Sequence, residues 1–445
     1  MATGQRVRVR LPFLPHKGSF MAHVIRTVRR TSAPTPQRLQ ADVCIAGAGI
    51  SGISAALEAA ALGKRVVLFD ALPMLGGQAV GSIIGTFCGL FSNGPNRQLL
   101  THGIADGILR DLGASGDLHQ AIGPLTTVVY YDEVALGRWI GQKVLDAGIT
   151  VVLGAVLREV VREGSRVQEV ELATRYGDVR VAANGFIDAS GDAALVWNAG
   201  LACREPDTPI YGTQMFVLEH IDEAHLPTRA QFTERVKEKA RHYGIERDDG
   251  LFFQFPGRGT AAFNMTHIET PLDPVAASHV ALAGRQQVDQ VIRFLKAEYP
   301  QAYGKAKVRA YALPGIRQTR WIVGQHHLTT DEVRAATMFP DAVARTSWPV
   351  ELHGDSTGYQ WEPFGDDHVH SVPLRSMLPE GSDNLVVAGR CIDADAAALS
   401  SVRVMGPCIA MGAAAAHALD LAGPDGRLSD IPAQVLRERL AFNLE

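Results

Sequence analysis

One stretch restricts this chain more than any other. Ala41–Ala46 is a short apolar run, followed by the turn Gly47-Ala48-Gly49-Ile50-Ser51-Gly52 and an alanine-rich segment from Ile53 to Leu62. Gly63 closes that segment, and a second apolar run, Arg65–Phe69, ends on Asp70. Strand, glycine turn, helix and strand within about 30 residues make a βαβ unit with parallel strands. The three glycines have separate uses: Gly47 permits the tight turn, Gly49 lets backbone approach a pyrophosphate, and Gly52 lets helix and strand pack closely. The N–H groups of Ile50, Ser51 and Gly52, with the positive end of the helix dipole, face the same place. Asp70 stands where a carboxylate accepts hydrogen bonds from an adenosine ribose.

The rest of the chain extends this α/β pattern. Helical periodicity covers Glu133–Ala147 with Gly148 as its stop, and Ile149–Gly154 reads as a strand. Val156–Val161, Val167–Thr174 and Val179–Ala182 are strands separated by turns at Gly164-Ser165 and Tyr176-Gly177-Asp178, and Gly185–Ala189 is another. From Pro206 to Pro379 the β-α alternation stops, and aromatics, His and Pro become denser. The apolar strand Asn384–Ala388 and the small-residue helix Gly406–Leu421 restore the first pattern. The expected division is a basic arm over 1–40, a nucleotide-binding part over 41–205, an inserted substrate domain over 206–379, a returning part over 380–425 and a tail over 426–445.

Composition narrows the function classes. A net charge of −4 points to neither nucleic acid nor membrane as a partner. No run of about 18 apolar residues is evident. The arm holds eight Arg or Lys and no acid, but prolines at 12, 15, 34 and 36 interrupt any amphipathic targeting helix. Met21 is an alternative initiator. Five scattered cysteines without C-x-x-C or zinc spacing fit free thiols in a reducing, cytoplasmic setting. No metal site is expected, since His326-His327 lacks further partners.

The first motif alone suits NAD or FAD. Two later segments favour FAD. Leu75-Gly76-Gly77-Gln78 follows Asp70 directly, where a flavoprotein chain passes the pyrophosphate and flavin. Ile187-Asp188-Ala189-Ser190-Gly191-Asp192 ends a strand on small residues and an acid. Near the C-terminus, Leu385–Ala388 leads into Gly389-Arg390-Cys391, and Ser401-Val402-Arg403-Val404-Met405-Gly406 opens the last long helix. Backbone N–H groups at Met405 and Gly406 suit negative charge at the flavin N1/O2 edge. The fold class expected is a Rossmann-type FAD-binding domain with a central parallel sheet, plus an inserted α+β substrate domain.

The blocks DVCIAGAGISGISAALEAAALGKRVVLFD, GFIDASGDAALVWNAG, PGIRQTRWIVGQHHLTTDEV and HSVPLRSMLPEGSDNLVVAGRCIDADAAALSSVRVMGPCIAMGAAAAHAL together resemble the FAD-dependent oxidoreductase family, in the fumarate reductase-like branch of the glutathione reductase superfamily. The resemblance runs from about Ala41 to Leu421 and is weak over 206–306. Asp70 departs mildly, because many flavoproteins carry Glu there; either carboxylate accepts both ribose hydroxyls. The resemblance implies an extended FAD, with Gly47, Gly49 and Gly52 at the pyrophosphate, Asp70 at the ribose and the Val156 backbone at the adenine. It places Asp192, Gly389, Arg390, Met405 and Gly406 around the ribityl and flavin end; the motifs themselves add Gly76, Gly77, Gln78, Ser190 and Gly191 as cofactor-binding candidates. Members are broad oxidoreductases, so the family supplies no substrate.

On the substrate side, Arg317 and Arg320 are candidates to hold a carboxylate, since guanidinium forks bind it bidentately. An internal salt bridge is the competing role. His370, with Tyr359 and His368 nearby, is the candidate base that takes a proton as hydride leaves for flavin N5. Cys391 and Cys408 flank the flavin end and read as buried structural thiols. The expected activity is dehydrogenase or oxidase chemistry on a small organic, carboxylate-bearing molecule. The alternatives are an NAD(P)H-dependent monooxygenase and a non-catalytic flavin-holding subunit; the electron acceptor stays open, and a homo-oligomer is compatible with the sequence.

Overall fold

In the computed structural model, residues 35–123 and 125–445 are described. Most of the basic arm therefore lies outside the described residues. Its last residues are strand instead: β1 runs Gln37–Ala46, starting before the apolar run because Gln37–Gln40 pair alongside Val179–Ala182. Helix α1 (Ile50–Ala61) and strand β2 (Val66–Asp70) complete the βαβ unit. After a segment with two shorter helices, Gly77–Gly81 and Ile104–Ala114, and a small three-stranded sheet comes α2 (Glu133–Asp146), capped by the Asp132 carboxylate on the N–H groups of Val134 and Ala135. Next come β3 (Thr150–Leu153), β4 (Ala155–Glu163), β5 (Arg166–Thr174) and β6 (Gly177–Asp188).

These strands form one sheet in the order β3-β2-β1-β6-β5-β4, with β3, β2, β1 and β6 parallel. β6 is one strand, where the sequence suggests two. Its first half pairs antiparallel with β5, and its second half pairs parallel with a strand from far along the chain, Leu385–Val387. The change of partner falls at Asn184-Gly185, where the Asn384 amide donates to the Asn184 and Val167 carbonyls.

A second, separate core lies within the inserted region. It comprises strands β7 (Phe216–Glu219), β8 (Leu251–Gln254) and β9 (Thr260–Asn264), helix α3 (Pro274–Glu298) and strand β10 (Lys307–Tyr311). The antiparallel order is β8-β9-β7-β10, and Phe216, Phe232, Phe263, Phe294 and Tyr303 fill its interior. From Trp321 onward the chain packs into the first core: Ile322, Leu328, Val343, Val372 and Met377 belong there. The insertion with its own core is thus shorter than residues 206–379, because aromatic density does not reveal which core a segment joins.

The returning segment supplies β11 (Leu385–Val387) and α4 (Met405–Ala422). By length and apolarity α4 could cross a membrane, a property not evident from the sequence reading. It is instead the largely buried helix against which α1 packs. The approach is close because both faces are small: a Cβ on Gly412 would sit 2.1 Å from the Ser51 carbonyl oxygen, and Ser54 Oγ donates to Ile409 O at 2.8 Å.

Candidate functional site

The turn between β1 and α1 is built by backbone contact. Gly47 has φ +97°, and a Cβ there would lie 2.4 Å from Ala189 O; a Cβ on Gly52 would lie 1.8 Å from Gly47 O. Only glycine fits either place. Gly49 differs, since a Cβ there would meet nothing within 4 Å. Its open side leaves room for a diphosphate at the N-terminus of α1, whose first N–H groups have no helical acceptor. Gly77 closes the other side, with a hypothetical Cβ 2.7 Å from Gly49 Cα, and Gly76 N–H donates to Ala48 O at 2.8 Å.

At the end of β2, Asp70 accepts from Ala48 N at 2.6 Å and from Leu72 N at 2.7 Å. Burial raises its pKa, and these two bonds oppose the shift. Each oxygen keeps a lone pair for a hydroxyl. Gly154 N–H donates to Leu72 O, so the start of β4, with the exposed Val156, lies beside Asp70.

Asp188, which the sequence reading left without a role, organises the other end. It is fully buried and accepts from Ser190 N (3.1 Å), Ser190 Oγ (2.6 Å), Leu195 N (2.8 Å) and Val196 N (3.1 Å). Ser190 Oγ in turn accepts from Asp192 N and Ala194 N. The turn after β6 presents Gly191, at φ +78°, and Asp192 toward Arg390. Arg390 Nη2 donates to Asp192 Oδ1 at 2.9 Å, and Thr319 Oγ1 donates to the same oxygen. Arg390 Nη1 is buried with no partner among the described residues. A buried guanidinium nitrogen left unpaired is costly unless an anion or hydroxyl meets it. The open glycine, the helix N-terminus, the Asp70 carboxylate with free lone pairs and this orphaned cationic donor form a set that fits FAD.

Several expected contacts are used differently. The Gln78 amide spans to the backbone of Ile316 in both directions, Nε2 to O at 3.0 Å and Ile316 N to Oε1 at 3.1 Å, so its side chain ties two segments of protein together. The N–H of Gly406 donates to Cys88 O at 2.9 Å. Pro407 has no N–H, so Met405 supplies the one free donor in the first three positions of α4 among the described residues. His370 has no exposed atom; its Nδ1 meets His368 Nε2 at 3.1 Å and its Nε2 meets Ser401 Oγ at 3.0 Å. Burial holds its pKa down at about 3. It is a neutral packing residue with both nitrogens taken, which removes it as the base. Cys391 and Cys408 are buried, and burial pushes their pKa values up, Cys408 to about 12.

The two substrate-side arginines part company. Arg320 forms an ion pair with Glu205 at 3.1 Å and lies 4.2 Å over the Trp197 ring, so the internal salt bridge is its role. Arg317 turns inward and is 8% exposed; Nη1 donates to Tyr211 O at 2.6 Å, and no carboxylate pairs with it among the described residues. Burial, then Arg403 and Arg247, hold its pKa well below the usual arginine value. Arg403 is also unpaired among the described residues and precedes Met405 by two positions. Arg247 is paired with Asp249.

Beside these arginines is a group the sequence reading missed. His267 Nδ1 faces Ser356 O at 3.1 Å, His267 Nε2 faces His353 Nδ1 at 3.0 Å, and His353 Nε2 faces Glu351 Oε1 at 3.2 Å. Trp348 Nε1 donates to Glu351 Oε2 at 3.1 Å. Both histidines are nearly inaccessible and Glu351 is partly exposed. Burial lowers the His267 pKa to about 2, with Arg247, Arg317 and His353 adding to it, and lowers that of His353 further. The available signal was the i, i+2 spacing of Glu351 and His353, which puts both on one side of an extended segment.

Residues 42–440 match the family model described as FAD dependent oxidoreductase. No curated protein matches the chain. Among solved structures, a geranylgeranyl bacteriochlorophyll reductase-like protein of Thermoplasma acidophilum is 14% identical, at a TM-score of 0.49, over 91% of this chain and 84% of its own. The anhydrotetracycline hydroxylase OxyS of Streptomyces rimosus is 14% identical, at a TM-score of 0.41, over 91% of this chain and 67% of its own. A flavin-dependent brominase is 12% identical, at a TM-score of 0.43, over 90% of this chain and 83% of its own. The family match takes in the glycine turn, Asp70, Arg390 and the arginines beyond them, and the chain belongs to the FAD-dependent oxidoreductases, enzymes that carry FAD.

Proposed function

We propose that this enzyme oxidises a small carboxylate-bearing molecule, or runs the same reaction in reverse, with the carboxylate held by Arg317 and Arg403. The observation that carries this reading is Arg317 itself: a buried guanidinium with only a carbonyl partner, among two further arginines. An arginine does not shed its charge in a protein. Like charges gathered away from water cost free energy, which Asp249 and Glu351 offset in part and a bound anion offsets further. Arg403 connects that anion site to the FAD end, because it lies just before Met405 and near Arg390.

In this reading the diphosphate of FAD rests on Gly49 and the N–H groups of Ile50, Ser51 and Gly52, the adenosine ribose on Asp70, and the adenine on the backbone at Val156. Arg390 serves the ribityl side, and the Met405 N–H the flavin edge. FAD, when bound, supplies the two-electron acceptor for hydride leaving the substrate. The protein fixes the substrate by its carboxylate and so directs one carbon toward the cofactor.

The test is anaerobic mixing with a panel of 2-hydroxy acids and dicarboxylates, read as bleaching of the flavin band near about 450 nm. Arg317→Gln is expected to raise the half-saturating concentration about 100-fold, the loss of one bidentate charge-assisted contact. Bleaching by NADPH, with every carboxylate inert, refutes this reading and favours the monooxygenase.

A further inference from the structure

We propose that Glu351 is the group that exchanges a proton with the substrate, and that His353 and His267 are positioning residues holding it in a one-proton relay. This rests on the anion site proposed at Arg317 and Arg403.

The contact chain fixes its own proton count. Ser356 O can only accept, so the His267 Nδ1 contact requires N–H there. His267 Nε2 and His353 Nδ1, 3.0 Å apart, need one proton between them. His353 Nε2 and Glu351 Oε1, 3.2 Å apart, need another. Trp348 Nε1–H can only donate, and it occupies the second oxygen of Glu351. The satisfied chain therefore carries three protons on two imidazoles and a carboxyl. Two neutral imidazoles and a carboxylate carry two. The set stores one transferable proton, and losing it leaves one of the three contacts without a hydrogen.

The surroundings decide where that proton resides. Burial, and then Arg317, Arg247 and Arg403, disfavour an imidazolium at His353. The charged and titratable groups around Glu351 are Arg317 and Arg403, Cys88 and Tyr359. Glu351 is also the accessible end of the chain. In the reducing direction the three-proton relay, which a bound carboxylate favours, would give the Glu351 proton to the substrate carbonyl oxygen as reduced FAD, when bound, would supply hydride to the carbon. In the oxidation direction the hydroxyl proton would pass to Glu351 in complexes that still carry two protons, taking the relay from two protons to three. The reverse reaction returns that proton to the substrate.

A bound anion neutralises the arginines and so favours the three-proton form, which links anion binding to protonation. Oxalate is a suitable probe because it stays ionised from about pH 6 to about pH 9. Its binding to the holoenzyme can be followed by the flavin spectrum. We expect the wild-type Kd to be flat at low pH and then to weaken by up to about tenfold per pH unit above a single break, as one-proton linkage requires. Glu351→Gln keeps a donor for His353 and an acceptor for Trp348 but has no proton to exchange. It should bind oxalate with a Kd independent of pH, and its substrate-driven bleaching should slow by about 100-fold or more. A wild-type Kd without a break, or the same break in Glu351→Gln, overturns the relay while leaving the anion site standing. Oxalate binding that is absent, or indifferent to Arg317→Gln, overturns the anion site and the relay with it. The wild-type profile decides even if the variant fails to fold.

Discussion

Asp188 is the most demanding test of how this site is built. Its two oxygens receive four donors, Ser190 N and Oγ on one and the N–H groups of Leu195 and Val196 on the other, and no part of it reaches solvent. Asp188→Asn keeps the volume but turns one oxygen into an NH2 facing two donors. Two hydrogen bonds to a carboxylate are lost, each worth about 1.5–3 kcal/mol. Burial raises the Asp188 pKa, so the ionised form is less favoured than a solvated one and the lower end of that range applies. The expected loss is about 3 kcal/mol. Because the same bonds position the Ser190–Asp192 turn and through it Arg390, FAD affinity should fall as well. Urea unfolding of the apoprotein near about pH 7, with FAD binding read from quenched flavin fluorescence, measures both. A loss below about 1 kcal/mol, or an Asp188→Leu variant as stable as Asp188→Asn, would refute the claim that these four donors depend on the carboxylate.

Three further outcomes follow from the same geometry. Gly52→Ala places a Cβ 1.8 Å from Gly47 O, so purified protein should be colourless or take up added FAD at least about 100-fold more weakly; normal yellow protein would contradict the close approach. His370 has a depressed pKa of about 3, so the unfolded state binds its proton first as pH falls through about 6.5; this residue alone should remove about 1.5–2 kcal/mol of stability between about pH 6.5 and about pH 5, with His267 and His353 adding to the fall, and His370→Gln should reduce the slope by one proton, as urea unfolding of both proteins at the two pH values would reveal. Acid precipitation should leave the flavin in the supernatant, since burial holds the Cys391 and Cys408 thiols protonated; colour in the pellet would place a covalent link there.

Much of the nucleotide fold was legible because its signals are local. The glycines of the first turn, Asp70, and the helices from Glu133 and Gly406 depend on neighbours within a few residues, and such patterns survive in a one-dimensional reading. Even there, side-chain partners were not legible. Gln78 is claimed by Ile316, 238 positions away, and the Gly406 N–H by Cys88.

What the sequence alone determined, then, is the βαβ nucleotide fold and the cofactor, because chain stiffness and turn sterics act over short spans. The tertiary structure decided which charged side chains are paired and which stay available. Arg317 and Arg320 are three positions apart and identical in type, yet one points into a cluster of arginines and the other pairs with Glu205. His370 is sealed behind Ser401 and His368, while His353 is joined to Glu351 and a histidine from 86 positions away. A side chain's protonation and availability depend on burial and on partners brought by distant parts of the chain, and only the packed fold sets those.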